Sequence, residues 1–103
     1  MYARNAHFRL KSLDRAAEFA RTFENEILPL LRKQEGFEGE ITLANPGSME
    51  QIAIGLWENE HNAEDYNASV YPQVVKILAK VIDVKPKIRT FEAVTLNVDH
   101  VAG

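Results

Sequence analysis

Alternation opens the chain. Across residues 2–11, Ala6, Phe8 and Leu10 fall on one side and Asn5, His7, Arg9 and Lys11 on the other, the two-residue period of a half-buried strand. The period then lengthens. Ala16, Ala20, Phe23, Ile27, Leu30 and Leu31 recur at three- and four-residue spacing, with Arg15, Glu18, Arg21, Glu24 and Lys33 between them, which predicts a long amphipathic helix. Ser12 is placed to cap it, and Asp14 falls in its first turn, where negative charge meets the helix dipole favourably. Pro29 lies inside the pattern, removes the bond to the carbonyl of Asn25 and predicts a kink. Gly36 followed by Phe37 predicts the helix stop, with the glycine left-handed.

Residues 37–44 alternate again, Ile41 and Leu43 against Glu40 and Thr42, and give a second strand. Asn45-Pro46-Gly47-Ser48 is a turn, and residues 51–58 give a third strand that completes a β-hairpin. On that strand Ile52, Ile54 and Leu56 fall one way, and Ala53, Gly55 and Trp57 the other. Asn59 is placed to cap a second helical stretch carrying Ala63, Tyr66 and Val70. Pro72 interrupts it and suits the first turn of a fresh helix, whose apolar stripe is Val74, Ile77, Leu78, Val81 and Ile82. Pro86 marks the exit, and residues 87–98, rich in Ile, Thr, Phe and Val, have the composition of a fourth strand.

The order β-α-β-β-α-β predicts an α+β, ferredoxin-like fold: an antiparallel four-stranded sheet with its helices on one face. Residues 1–98 read as one domain and 99–103 as a tail. The second sheet face is then bare, and Ala53, Gly55 and Trp57 are expected on it. Such a face is hazardous in water, and stacking of two copies would bury it, so the expected assembly is a symmetric homodimer forming an α+β barrel.

Composition narrows the partners. A chain of 103 residues can bury roughly two thirds of its surface and needs no disulfide or metal to fold. Twelve basic against fifteen acidic side chains give a net charge of −3, which argues against nucleic acid as a partner. The absence of cysteine excludes disulfides, zinc–thiolate sites, iron–sulfur clusters and thiol nucleophiles. Apolar runs are too short for a membrane span, and the first eleven residues lack a signal peptide's apolar stretch, so no membrane partner and a cytoplasmic location are expected.

Four stretches carry a resemblance: PLLRKQEGF ending the first helix, GLWENEHNAEDY around the single tryptophan, YPQVVKIL, and KPKIRTFEA. Together they resemble the antibiotic biosynthesis monooxygenase domain of the dimeric α+β barrel superfamily. The resemblance implies dimerisation through the open sheet faces and a cavity between sheet and helices. It also implies oxygenation of aromatic or quinol-type molecules with no metal, flavin or other cofactor. In the polyketide-oxidising members an asparagine four residues before the strand-three tryptophan helps polarise the substrate; here that position is Ala53. Their tyrosine six residues after the tryptophan corresponds to Ala63, with Tyr66 three residues further on, and the arginine of their second helix matches Ile77. Trp57 alone survives. In the haem-degrading branch Asn5 stands near an asparagine of strand one and Tyr66 takes the place of a second-helix aromatic, but the iron-ligating histidine falls near Lys76. A protonated lysine does not bind iron, which disfavours haem degradation.

The candidate chemistry follows. His7 can serve as a general base near neutral pH, or merely pack at an interface or rim. Asn5 can hydrogen-bond a substrate carbonyl, or simply bind water. Trp57 can wall a cavity for a flat substrate or pack between the sheet and its dimer mate; Tyr66 and Tyr71 can offer phenol hydrogen bonds or only bury their rings. His61 reads as solvent-exposed and His100 as inert in the tail; no histidine pair has metal-site spacing. Glu58, Glu60, Glu64 and Asp65 read as a solvated helix start. The leading expectation is a cofactor-independent monooxygenase-like protein, catalysis resting on His7 and Asn5 and substrate binding on Trp57, Tyr66 and Tyr71. The alternative is a non-catalytic small-molecule-binding or structural homodimer.

Overall fold

Four strands, β1 (Tyr2–Arg9), β2 (Phe37–Ala44), β3 (Glu50–Trp57) and β4 (Lys87–Glu92), pair antiparallel in the order β2-β3-β1-β4. Between them run α1 (Ala16–Thr22), a π turn (Phe23–Ile27), α2 (Leu28–Arg32), α3 (Glu60–Ser69) and α4 (Tyr71–Leu78). The computed structural model describes residues 1–83 and 85–97. This is the α+β, ferredoxin-like architecture that the element order predicts. His100 and the tail 99–103 lie outside the described residues.

Several local expectations are refined. The kink expected at Pro29 takes the form of the π turn, in which the Leu28 N–H donates to the Phe23 carbonyl, five residues back. Proline then occupies the start of α2, where its missing N–H costs nothing. The same turn explains the buried stripe. Phe19, Phe23, Ile27 and Leu31 recur every four residues, which lags a helix of about 3.6 residues per turn. The wider π turn keeps all four on the sheet, so Phe19 is buried and Ala20 exposed. Ser12 does not cap the helix: its hydroxyl bonds to the Asp14 carboxylate, and the helix begins as a 3-10 turn, Leu13–Arg15. Asn59 does cap α3, its Oδ1 accepting from the Asn62 N–H at 2.9 Å. Gly36 is left-handed as expected, with φ of 78°. β4 ends at Glu92 instead of running to residue 98, because its only neighbour, β1, begins at Tyr2, opposite Glu92.

The largest correction concerns strand parity. The helices cover the side of the sheet bearing Arg4, Ala6 and Phe8 of β1 and Ala53, Gly55 and Trp57 of β3. Ala53 and Trp57 therefore belong to the core, not to the open face. Trp57 needs this side because its indole packs at a tilt on Tyr66 of α3, centroids 5.0 Å apart, and meets the edge of Phe37 at 5.5 Å. The open face instead carries Ile52, Ile54 and Leu56, flanked by Ile41 and Leu43 of β2 and Ala3 and Phe91 across β1 and β4. Ile41 remains 50% exposed and Leu43 48%. The face left without helices is more apolar than its predicted version.

Candidate functional site

The polar group that β1 sends beneath the helices is Arg4. It shares the parity of Ala6 and Phe8, sits opposite Gly55 of β3, and is only 5% exposed. Gly55 matters because a side chain there would put its Cβ 3.1 Å from the Trp57 indole nitrogen. Without one, the indole lies along β3 with its N–H over the cross-strand neighbour of Arg4. α3 supplies the opposing wall. Ala63, Tyr66 and Asn67 share a helix face at three- and four-residue spacing, and Asn67 Oδ1 accepts from Arg4 Nη2 at 2.7 Å. Tyr71 opens α4, and its ring stands 6.0 Å from that of Tyr66.

Arg4 thus lies among aromatic rings, its Cζ 3.9 Å from the Tyr71 centroid and 5.1 Å from that of Tyr66. A desolvated cation–π contact contributes about 2 kcal/mol. No carboxylate stands within ion-pair distance of Arg4 among the described residues. The guanidinium lies against the Tyr71 ring and forms no hydrogen bond with its hydroxyl, although its charge and its nearness to that oxygen both lower the phenol's pKa. Burial outweighs the effect and raises Tyr71 overall. Tyr66 is pushed up to about 12, by burial first; the nearby Arg4 charge opposes this and those of Tyr71 and Glu40 add to it. Both phenols are therefore protonated at neutral pH.

Two spaces meet at Arg4 and Tyr71. Outside is a groove of about 740 Å³ between α3–α4 and the β1–β4 half of the sheet, walled by Tyr2, Ala63, Pro72, Val75 and Ile88. Inside, beneath the helices, is a space of about 20 Å³ bounded by Trp57, Tyr66, Ala53 and Glu40. Glu40 accepts from the Thr42 hydroxyl at 2.6 Å, yet burial outweighs that bond and raises its pKa.

Of the residues singled out in the sequence, Trp57, Tyr66 and Tyr71 come together here. Asn5 and His7 do not. Both project from the opposite, open face, Asn5 between Ile54 and Arg89 and His7 with its Nε2 3.5 Å from Glu50 Oε1. The reason is geometric: the cavity lies on the apolar side of β1, so the polar side cannot line it. Arg4, Glu40 and Asn67 were missed. The available signal was a charge at Arg4 in phase with Ala6 and Phe8. Ala53 and Ala63 do border the two spaces, but with methyl groups where the resembled family carries polar ones. Lys76 lies on the groove, Ile77 is half-buried, and His61 is exposed beside Asp65. Among the described residues no group of three His, Cys, Asp or Glu is placed to hold a metal, and no helix is long and apolar enough to cross a membrane.

No protein-family model matches the chain, and no curated protein matches it. Solved structures do. A monooxygenase from the gene ActVA-Orf6 of Streptomyces coelicolor, solved with nanaomycin D, is similar with a TM-score of 0.78 at 11% identity, over 96% of this chain and 92% of that one. SnoaB, a cofactor-independent oxygenase from Streptomyces nogalater, is similar with a TM-score of 0.68 at 15% identity, over 92% and 94%. A Bordetella bronchiseptica protein described as a candidate antibiotic biosynthesis monooxygenase is similar with a TM-score of 0.76 at 14% identity, over 91% and 97%. At these identities the likeness is one of architecture, and the chain has the fold of the antibiotic biosynthesis monooxygenases.

Proposed function

We propose that this protein is a cofactor-independent monooxygenase-like protein that takes an aromatic or quinol-type molecule into the groove beside Arg4 and Tyr71. The observation that carries the reading is the aromatic wall of Trp57, Tyr66 and Tyr71, which joins an open groove to a small space beneath the helices. That is the setting a flat apolar substrate needs. Glu40 is the base that best fits the inner space, since burial raises its pKa towards that of a weakly acidic substrate. It takes the substrate's proton, and the resulting anion gives an electron to dioxygen, the co-reactant; the radicals combine to a peroxide anion, Glu40 returns the proton to it, and the hydroperoxide loses water to leave a carbonyl. The protonated phenols hold their rings as walls and take no proton. The test is oxygen uptake with anthrones and quinols. Glu40→Gln is expected to lower the rate about 100-fold or more, and His7→Ala to leave it unchanged. A loss with His7→Ala and none with Glu40→Gln would return the base to His7.

A second reading, a non-catalytic binder, is favoured by the small inner space with Ala53 at its border and by Ala63 on the groove. Tight binding of quinols without oxygen uptake would select it. In either reading the open sheet face is covered by a second copy of the chain, an inference supported by the apolar row Ile52, Ile54, Leu56, Ile41 and Leu43.

A further inference from the structure

Three buried donors in the site have no hydrogen-bond partner among the described residues: Arg4 Nε, Trp57 Nε1 and the Tyr71 hydroxyl. Polar atoms taken out of water are ordinarily paired, and three orphans in one place need an explanation. All three residues border the same inner space. Its volume, about 20 Å³, suits roughly one oxygen-sized atom. The charge is the second anomaly. Arg4 is 95% buried by its 5% exposure, and its one side-chain hydrogen bond goes to a neutral amide, Asn67. The groove's other charges, Lys76 and Lys85 against Glu60 and Glu64, balance one another, leaving Arg4 as the excess. Glu40, on the inner side, forms no ion pair with Arg4. A buried guanidinium without a counter-charge is costly, and water in the inner space would hydrate it without neutralising it.

We propose that the site recognises an acidic aromatic ligand, its rings in the groove and one anionic oxygen, carboxylate or phenolate, held by Arg4 Nε, Trp57 Nε1 and the Tyr71 hydroxyl. The ligand thus completes the site: an acceptor-only, negatively charged atom satisfies the donors and offsets the guanidinium together. Arg4 and Tyr71 wall both spaces, so a ring against Tyr71 in the groove can place its oxygen at the inner end. This rests on the groove being the ligand site, but not on any oxygenation.

The single tryptophan, Trp57, gives the readout through its fluorescence. 2-Naphthoate and its neutral analogue 2-naphthalenemethanol are titrated into the wild type, Arg4→Gln, Arg4→Lys and Tyr71→Phe. The wild type is expected to bind naphthoate roughly 10- to 100-fold more tightly than the alcohol. Arg4→Gln should abolish that preference, with Arg4→Lys and Tyr71→Phe intermediate. A parallel titration of 4-nitrophenol, followed by the absorbance of its ionised form, separates the two oxygen types: binding with a lowered pKa identifies a phenolate site, no binding beside tight naphthoate a carboxylate site, and binding with an unchanged pKa overturns the proposal. Equal affinity for naphthoate and the alcohol in the wild type, or no binding of either, overturns the proposal. So does a preference that survives in both Arg4 variants. Oxygen uptake on the same preparations reports separately on the oxygenase reading, which stands or falls independently of the charge preference.

Discussion

Ile54→Lys is the sharpest perturbation of the open sheet face. Ile54 pairs with Asn5 on one side and Ile41 on the other, near the centre of that face. The helix-covered core lies on the other side of the sheet, so the substitution should spare the protomer's fold. Fully covering an isoleucine side chain contributes about 1.5–3 kcal/mol; Ile54 is already partly buried in the protomer, so a second copy adds no more than about a third of that, about 0.5–1 kcal/mol. In a two-fold dimer the loss occurs in both copies, about 1–2 kcal/mol in all, before the cost of desolvating two ammonium groups. Dissociation should therefore rise about 10-fold from the lost contact alone, and further with the ammonium groups. Sedimentation velocity across the micromolar range measures it, with circular dichroism and Trp57 emission confirming that the protomer is intact. A wild type that sediments as a monomer throughout, or an Ile54→Lys protein that dimerises as tightly, would refute the reasoning.

Further outcomes follow from particular contacts. Gly47 has φ of 83° with open space around it, so Gly47→Ala should cost about 1 kcal/mol in urea unfolding. Gly36→Ala should cost clearly more, because its Cβ would also clash with the Asn62 side chain; equal costs would contradict the packing of α3 against that turn. Burial disfavours the ionised form of Glu40, so Glu40→Gln should raise stability at neutral pH while lowering oxygen uptake; a destabilised variant would contradict the burial argument. With the Tyr66 phenol raised from 10.0 to about 12, the folded state binds a proton that the unfolded chain has lost, so its contribution is full below pH 10 and lost as pH climbs towards 12. Spectrophotometric titration should find this tyrosine ionising late, and in Tyr66→Phe that late step should vanish.

The fold could be read from periodicity because strands and helices left distinct marks: the turn at Asn45-Pro46-Gly47-Ser48, the glycine stop at Gly36 and the Asn59 cap all sit where the residues put them. Which face of β3 turns inward could not be read, because both faces of that strand are apolar. Ile52, Ile54 and Leu56 look like core by hydropathy alone. The decision falls to shape: Ala53 and Gly55 leave room for the Trp57 indole and Arg4 beneath the helices, and the branched residues go outward. The aromatic part of the site was recoverable, since Trp57, Tyr66 and Tyr71 are large and spaced to converge. Its charged part was not, because a search for chemistry on the polar side of β1 reaches Asn5 and His7 and passes over Arg4.

A crystal structure of the protein soaked with 2-naphthoate tests the central claim most directly. The rings are expected in the groove against Tyr71 and Ile88, with a carboxylate oxygen on Arg4. A ligand seated instead on the open sheet face beside Asn5 and His7, or a groove left empty at saturating concentration, would contradict it.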